Sequence, residues 1–403
     1  MIIKKLLQLS ILITLAFVFS NCNQSKKASD AKGEYVTIDA QNIDLDQTKE
    51  ILLSDFVDTI DIIPLEFNDS CILREIRKII IHGNNIFLIE AQRPSTVYRF
   101  DLQGNFLNLI GLKGQGPDEI VELKDFSINE KDSVVYLLDN ARQTILSYNF
   151  AGQLIETLKM NQYANRLAYK DGFFYLFRDQ QIIGDNLCSL IIRDTQGEAK
   201  NSFFPSKKYP ISLEKQTFTD SKDGLFFCVP MNDTIYSLHG TDLNYAYFVD
   251  FGSLRFTPKE IKDIYLEKTT TIQTLLNNER LTSIDHLYQV GDWLYFNSAY
   301  KIFKFSFLYN TSGKTLKVAA QIYDDLEFMF YNNQFYGQTE DVLIGIYETY
   351  GLDKDIERYE RYEKEKRVTK EKKEKQVQKM NAIKRGDNPE EMNPWILLYH
   401  IKR

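Results

Sequence analysis

Between Gly111 and Met160 apolar and polar positions alternate through four short runs, KDFSIN, SVVYLLD, TILSYNF and LIETLKM, each closed by turn residues. A Gly/Pro-punctuated connector, GLKGQGPDE, precedes the first run. Four antiparallel strands within about fifty residues is the size of one β-propeller blade.

The same pattern recurs along the chain. A strand ending in an aromatic residue, followed by a polar turn ending in Gly, gives VYRFDLQG at Gly104, LSYNFAG at Gly152 and IYSLHG at Gly240. LIIRDTQG at Gly197 belongs to the series but lacks the aromatic. These markers lie 48, 45 and 43 residues apart, a four-stranded period. The fifth, KFSFLYNTSG at Gly313, follows after 73 residues. The surplus falls on residues 255–281, where Pro258 at a helix start and Glu260 in the first turn predict an inserted helix.

FMFYNNQFYGQ, DVLIGIYET and the terminal NPWILLYHIKR supply a sixth blade, and the early run SDFVDTIDIIPLEF supplies its fourth strand. Pairing the two ends of the chain closes the ring and removes exposed strand edges. The fold expected is therefore all-β, a six-bladed β-propeller over residues 38–403. A charged helical insertion at 353–387 precedes the closing strand. From Asp353 to Arg385, 13 Lys/Arg stand against 8 Asp/Glu, with favourable i,i+4 pairs such as Glu371/Lys375. It reads as a solvated helix touching the body through Ile356, Tyr359, Tyr362, Val377, Met380 and Ile383, with a basic arm for phosphates or a partner as the other reading.

Composition adds the compartment. Lys4 and Lys5 followed by an apolar stretch from Leu6 to Phe19 form an export signal too short to span a bilayer comfortably. Its end, Phe19-Ser20-Asn21-Cys22, resembles a bacterial lipobox, with Asn21 where Gly or Ala is usual. Residues 1–21 are thus expected to be a lipoprotein signal peptide, Cys22 the lipidated residue and 22–37 a flexible tether. Acyl chains on Cys22 would make a membrane surface the first partner, and the cell envelope, at the outer membrane or a periplasm-facing membrane, the location. Losing Lys4 and Lys5 moves the net charge from -7 to -9, which argues against nucleic acid. Cys71, Cys188 and Cys228 show no paired spacing and read as buried apolar residues, with one long-range bridge as the alternative.

Chemistry is less legible. The Gly111–Gly116 run lacks the following helix of a phosphate cradle and reads as a turn between blades. His82, His239, His286 and His400 have no ligand at i,i+2 or i,i+4, and no nucleophile elbow is present, so no catalytic residue, metal or cofactor is indicated. The expected ligand-binding residues are Asp139 with Arg142 in blade two, Arg93 beside Glu90 in blade one, and Arg178 in blade three. If their loops ring one mouth, the guanidinium forks suit a carboxylate or sulfate. The alternative is that each Arg holds its own turn.

Blade two's SVVYLLDNARQTILSYNFAGQ resembles an NHL-type repeat, with Thr144 where that repeat carries an Arg. With the lipobox, Gly114–Glu119, the NDTIY run from Asn232 to Tyr236 and the terminal NPWILLYHIK, the whole resembles six-bladed β-propeller lipoproteins of Gram-negative gut-type bacteria. That resemblance implies a lipid-anchored binding or protein-interaction propeller accompanying glycan or peptide uptake. The alternative is a lyase or hydrolase acting on a glycan or peptide in the channel. Clustered carboxylate, Tyr or His side chains at one mouth would favour the enzyme. An exposed platform of Trp293, Tyr295 and Tyr300 would favour binding.

Overall fold

The computed structural model describes residues 31–91, 95–178, 188–205, 217–221, 224–229, 231–257, 259–260, 279–326, 334–349, 352, 354, 357, 370–383 and 392–402. It is a six-bladed β-propeller. After β1 (Val36–Asp39), β2 (Ile51–Leu52) and β3 (Val57–Pro64), blade 1 holds β4 (Ile76–His82), β5 (Asn85–Glu90), β6 (Val97–Asp101) and β7 (Phe106–Ile110). Blade 2 holds β8 (Leu123–Asn129), β9 (Val134–Asp139), β10 (Thr144–Asn149) and β11 (Leu154–Lys159). Blade 3 holds β12 (Arg166–Lys170), β13 (Phe173–Phe177), β14 (Cys188–Asp194) and β15 (Ala199–Pro205). Blade 4 holds β16 (Phe218–Ser221), β17 (Gly224–Cys228), β18 (Thr234–His239) and β19 (Asp242–Asp250). Blade 5 holds β20 (Asp285–Val290), β21 (Trp293–Tyr300), β22 (Phe303–Asn310) and β23 (Thr315–Ala319). After β24 (Ile322–Tyr323), blade 6 is built from β25 (Gly337–Gln338), β26 (Val342–Tyr347), β27 (Trp395–Ile401) and β3.

The ring closes as the sequence predicts: β3 runs antiparallel to β27, with Ile63 opposite Ile396 and Ile60 opposite Tyr399. Buried Asn393 reinforces the seam. Its Oδ1 accepts from the Leu73 N–H at 2.7 Å and its amide nitrogen donates to the Glu66 and Cys71 carbonyls.

The inner blade strands, such as β5 and β9, are buried on both faces, and strand periodicity sends alternate residues to opposite neighbours. In β9, Leu137 joins the core shared with blade 1 through Phe87 and Ile89, while Leu138 joins the core shared with blade 3 through Phe174 and Leu176. Six such clusters fill the six seams. Tyr and Phe supply much of the bulk, including fully buried Tyr148, Tyr175, Tyr288 and Tyr295.

The periphery differs from expectation in one respect. Val36–Asp39 adds a fifth, parallel strand to blade 4 along β19, although 36 and 37 fall in the expected tether. Its alternation is weak because only Ile38 is buried. At the expected insertion, Thr257 and Glu260 form a reciprocal cap: the Thr257 N–H donates to Glu260 Oε2 at 2.7 Å and the Glu260 N–H to Thr257 Oγ1 at 3.2 Å. Residues 258 and 261–278 lie outside the described set. Helix α1 (Lys370–Ile383) occupies part of the charged stretch, and its Val377 packs on the core between blades 5 and 6. Ile356, Tyr359 and Tyr362 and the side chains of Met380 and Ile383 lie outside the described set, as does the Cys188 side chain. Cys71 and Cys228 are free buried thiols.

Candidate functional site

The first strands β4, β8, β12, β16, β20 and β25 line the channel, beginning at one mouth and ending at the other. Where they begin, a cavity of about 340 Å³ is lined by Arg77, Lys78, Arg166 and Lys304 together with Glu75, Asp125, Asp285 and His286. A wider cavity of about 840 Å³ lies where they end.

The narrow mouth is charged because three first strands are irregular there. Register shifts fall between Ile76 and Lys78, between Leu123 and Asp125, and between Asp285 and Tyr288. A bulge re-aims side chains and leaves backbone unpaired. Here the irregular positions carry Arg77, Lys124 and His286. His286 sits at φ 46°, a left-handed conformation disfavoured for a residue with a Cβ and found at strained functional positions.

Lys78 and Asp125 form the floor. Lys78 Nζ lies 2.9 Å from Asp125 Oδ1 and donates to the Phe126 carbonyl at 2.7 Å and the Leu167 carbonyl at 3.4 Å. Asp125 Oδ2 accepts from the Leu167 N–H at 2.7 Å, so one ion pair ties blades 1, 2 and 3 together. Burial alone would raise the Asp125 pKa, but the cations of Lys78, Arg166 and Arg77 outweigh it and hold the carboxyl below its usual range. The Arg77 guanidinium donates to the Lys124 carbonyl.

On the opposite wall His286 Nδ1 lies 3.0 Å from the Phe335 carbonyl, which can only accept, so Nδ1 carries the proton. Its Nε2 faces Asp285 Oδ2 at 3.6 Å. The Tyr336 ring meets the imidazole edge-on at 6.2 Å. Burial, and then the charge of Glu75, push the Glu348 carboxyl up to about 7. The Tyr336 phenol is raised by burial and by Glu348 and Glu75.

Asp139 and Arg142 fall on this same face, because Asp139 pairs opposite Leu123 at the start of β8. Asp139 is fully buried, and its carboxylate accepts the N–H groups of Val121, Glu122 and Arg142. Arg142 donates to the carbonyls of Glu119 at 2.7 Å and Gly116 at 2.9 Å. Together they hold the stretch from Gly116 to Glu122 that leads from blade 1 into blade 2. Arg178 is buried just past β13, and its N–H donates to the Ser189 carbonyl. Arg93 and Cys22 lie outside the described residues. Of the aromatic platform, Tyr295 and Tyr300 are buried and Trp293 is half-buried against the core.

Arg77, Lys78, Asp125, Arg166, Asp285 and His286 were not singled out as a set by sequence reasoning. The available signal was a charged residue at the start of the first strand of blades 1, 2, 3 and 5, as in IRKIIIH or LKDFSIN.

Residues 35–396 match the family described as Domain of unknown function (DUF4934), and the chain belongs to that family. No curated protein matches the sequence. Among solved structures, a Bacteroides fragilis NCTC 9343 protein described as exported superposes with a TM-score of 0.74 at 16% identity, covering 91% of this chain and 100% of that one. A DUF4221 family member from Bacteroides vulgatus ATCC 8482 gives a TM-score of 0.47 at 11% identity, covering 86% of this chain and 97% of that one.

Proposed function

We propose that this DUF4934 protein is a lipid-anchored envelope propeller that binds an acidic glycan or peptide group at the narrow mouth and accompanies its uptake. The observation that carries the reading is the convergence of Arg77, Arg166 and Lys304 on one cavity of about 340 Å³, with Lys78 below them. A carboxylate or sulfate suits the guanidinium groups, and ligand hydroxyls or ammonium groups suit Glu75 and Asp285. The volume lies in the range of small-ligand sites. Anchoring rests on the lipobox at Cys22, and the exported description of the Bacteroides fragilis protein agrees with an envelope location. The loops of Asp139, Arg142 and Arg178 form the outer support of the same face in this reading.

The test is a glycan and peptide array followed by calorimetry on the best acidic hit. Loss of one charged hydrogen-bonding group costs about 1.5–3 kcal/mol, so Arg77→Gln and Arg166→Gln should each weaken binding roughly tenfold or more. Exclusive binding of uncharged ligands, or affinity untouched by both substitutions, would refute the reading.

One observation favours an enzyme instead: His286, Asp285, Tyr336 and the Glu75–Glu348 pair gather at the same mouth. Incubation of the array hit with the protein, followed by detection of new reducing ends or unsaturated sugars, separates cleavage from binding.

A further inference from the structure

A further cavity, of about 580 Å³, opens on the wide-mouth face between blades 5 and 6. It runs from the turn between β20 and β21 to the end of β27, and Asp292, Trp293, Asn310, Asp341 and Lys402 give it its chemistry. Gly291 and Asp341 also line the wide cavity, so the two are contiguous.

Trp293 opens β21 directly opposite Asn310, the last residue of β22. Its indole is half-buried: Phe56 meets it from the core at 6.2 Å, and the part left uncovered lines the cavity. Beside the ring, the turn from Asn310 to Gly313 holds two polar side chains by one atom each. Asn310 Oδ1 accepts the Gly313 N–H at 2.6 Å, and Asp292 Oδ2 accepts from Ser312 Oγ at 2.6 Å. The Asp292 carbonyl accepts the Thr311 N–H at 2.8 Å and fixes the same turn. Among the described residues, Asn310 Nδ2 and Asp292 Oδ1 have no hydrogen-bond partner. Neither is shut away from solvent, since Asp292 is exposed and Asn310 half-buried. The arrangement is one donor and one acceptor, each oriented by its neighbouring atom, next to an aromatic surface.

We propose that this cavity binds a neutral saccharide. The C–H groups of a sugar ring pack on the electron-rich face of an indole. Each sugar hydroxyl both donates and accepts, so neighbouring hydroxyls satisfy Asp292 Oδ1 and Asn310 Nδ2 together. A cation held over the indole is the competing chemistry, but it offers no acceptor and leaves Asn310 Nδ2 unmatched. The volume lies in the range of small-ligand sites. The site stands at the opposite end of the channel from the cationic narrow mouth and does not depend on the ligand assigned there.

The chain has two tryptophans, and Trp395 is 1% exposed, so fluorescence quenching by acrylamide reports Trp293. The test titrates the full chain with maltohexaose, cellohexaose, xylohexaose and mannohexaose, and with choline as the cation. At least one hexasaccharide should shield Trp293 from acrylamide, and choline should not. Asn310→Asp keeps the oxygen that accepts from Gly313 but removes the donor, and it should weaken that saccharide severalfold in calorimetry with an unchanged melting temperature. Trp293→Leu should weaken it roughly tenfold, and Asn310→Asp keeps the test decisive if Trp293→Leu fails to fold. The proposal is overturned if no hexasaccharide shields Trp293 at millimolar concentration, if choline shields it equally, or if Asn310→Asp leaves the affinity unchanged.

Discussion

Replacing Lys78 by Met tests whether the channel floor is held by charge. The substitution keeps much of the side-chain volume but deletes three contacts of Nζ: Asp125 Oδ1 at 2.9 Å, the Phe126 carbonyl at 2.7 Å and the Leu167 carbonyl at 3.4 Å. Asp125, with only 3% of its side chain exposed, is left with the backbone N–H groups of Phe126 and Leu167. Breaking a buried ion pair costs about 3–5 kcal/mol because the remaining charge stays desolvated. Lys78 keeps 29% of its side chain exposed, which places the expected loss at the lower end, about 3 kcal/mol at pH 7. Urea unfolding followed by tryptophan fluorescence measures it.

The pH dependence has a defined sign. In the wild type the folded Asp125 pKa is depressed, so its contribution is present above the unfolded value of about 3.9 and is lost as pH falls through the lower folded value. In Lys78→Met the largest opposing cation is gone while Arg166, Arg77 and the Leu167 N–H remain, so the carboxyl is held down less than in the wild type. The deficit of the variant therefore narrows on acidification. The double variant Lys78→Met/Asp125→Leu should recover most of the loss. A loss below about 1 kcal/mol at pH 7, well short of the buried-pair cost, or a deficit that widens on acidification, would refute the reasoning.

Four further outcomes are expected. Asn393→Ala leaves the Leu73 N–H and the Glu66 and Cys71 carbonyls without that partner and should cost about 1–3 kcal/mol in the same assay, whereas removal of β27 by truncation after Asn393 should abolish the cooperative transition; a sharp melt of the truncated chain near the parent temperature would contradict ring closure. Glu348, raised to about 7, binds more protons folded than unfolded between its ordinary value and 7, so stability should fall as pH rises through that window, and Glu348→Gln should flatten the fall; an identical pH profile for both proteins would count against it. Cys22→Ala should move the protein from the membrane fraction to the soluble fraction, and unchanged fractionation would remove the lipid anchor from the account.

The blades were legible because their punctuation is local. The turn before Gly104 is built by Asp101, whose Oδ1 accepts the N–H groups of Gln103 and Asn105, and Asn149 and Asp194 repeat the device at Gly152 and Gly197. Gly104 is left-handed at φ 78°, and a Cβ there would stand 2.2 Å from the Pro64 carbonyl oxygen of the closing strand. These constraints repeat where the third strand turns into the fourth in blades 1, 2 and 3, so they show as a period. The channel mouth has no such signal. Lys78, Asp125 and Arg166 come from three blades, 47 and 41 residues apart along the chain, and only ring closure brings them together. Asp139 and Arg142, by contrast, stand out in the sequence because they are close in it, and their hydrogen bonds serve their own connector.

The most direct measurement is a crystal structure of the protein with the acidic ligand selected by the array. The ligand's carboxylate or sulfate should lie in the narrow mouth within hydrogen-bonding distance of Arg77 or Arg166. A ligand seated outside the channel, or in the mouth with its acidic group turned away from both guanidinium groups, would contradict the assignment.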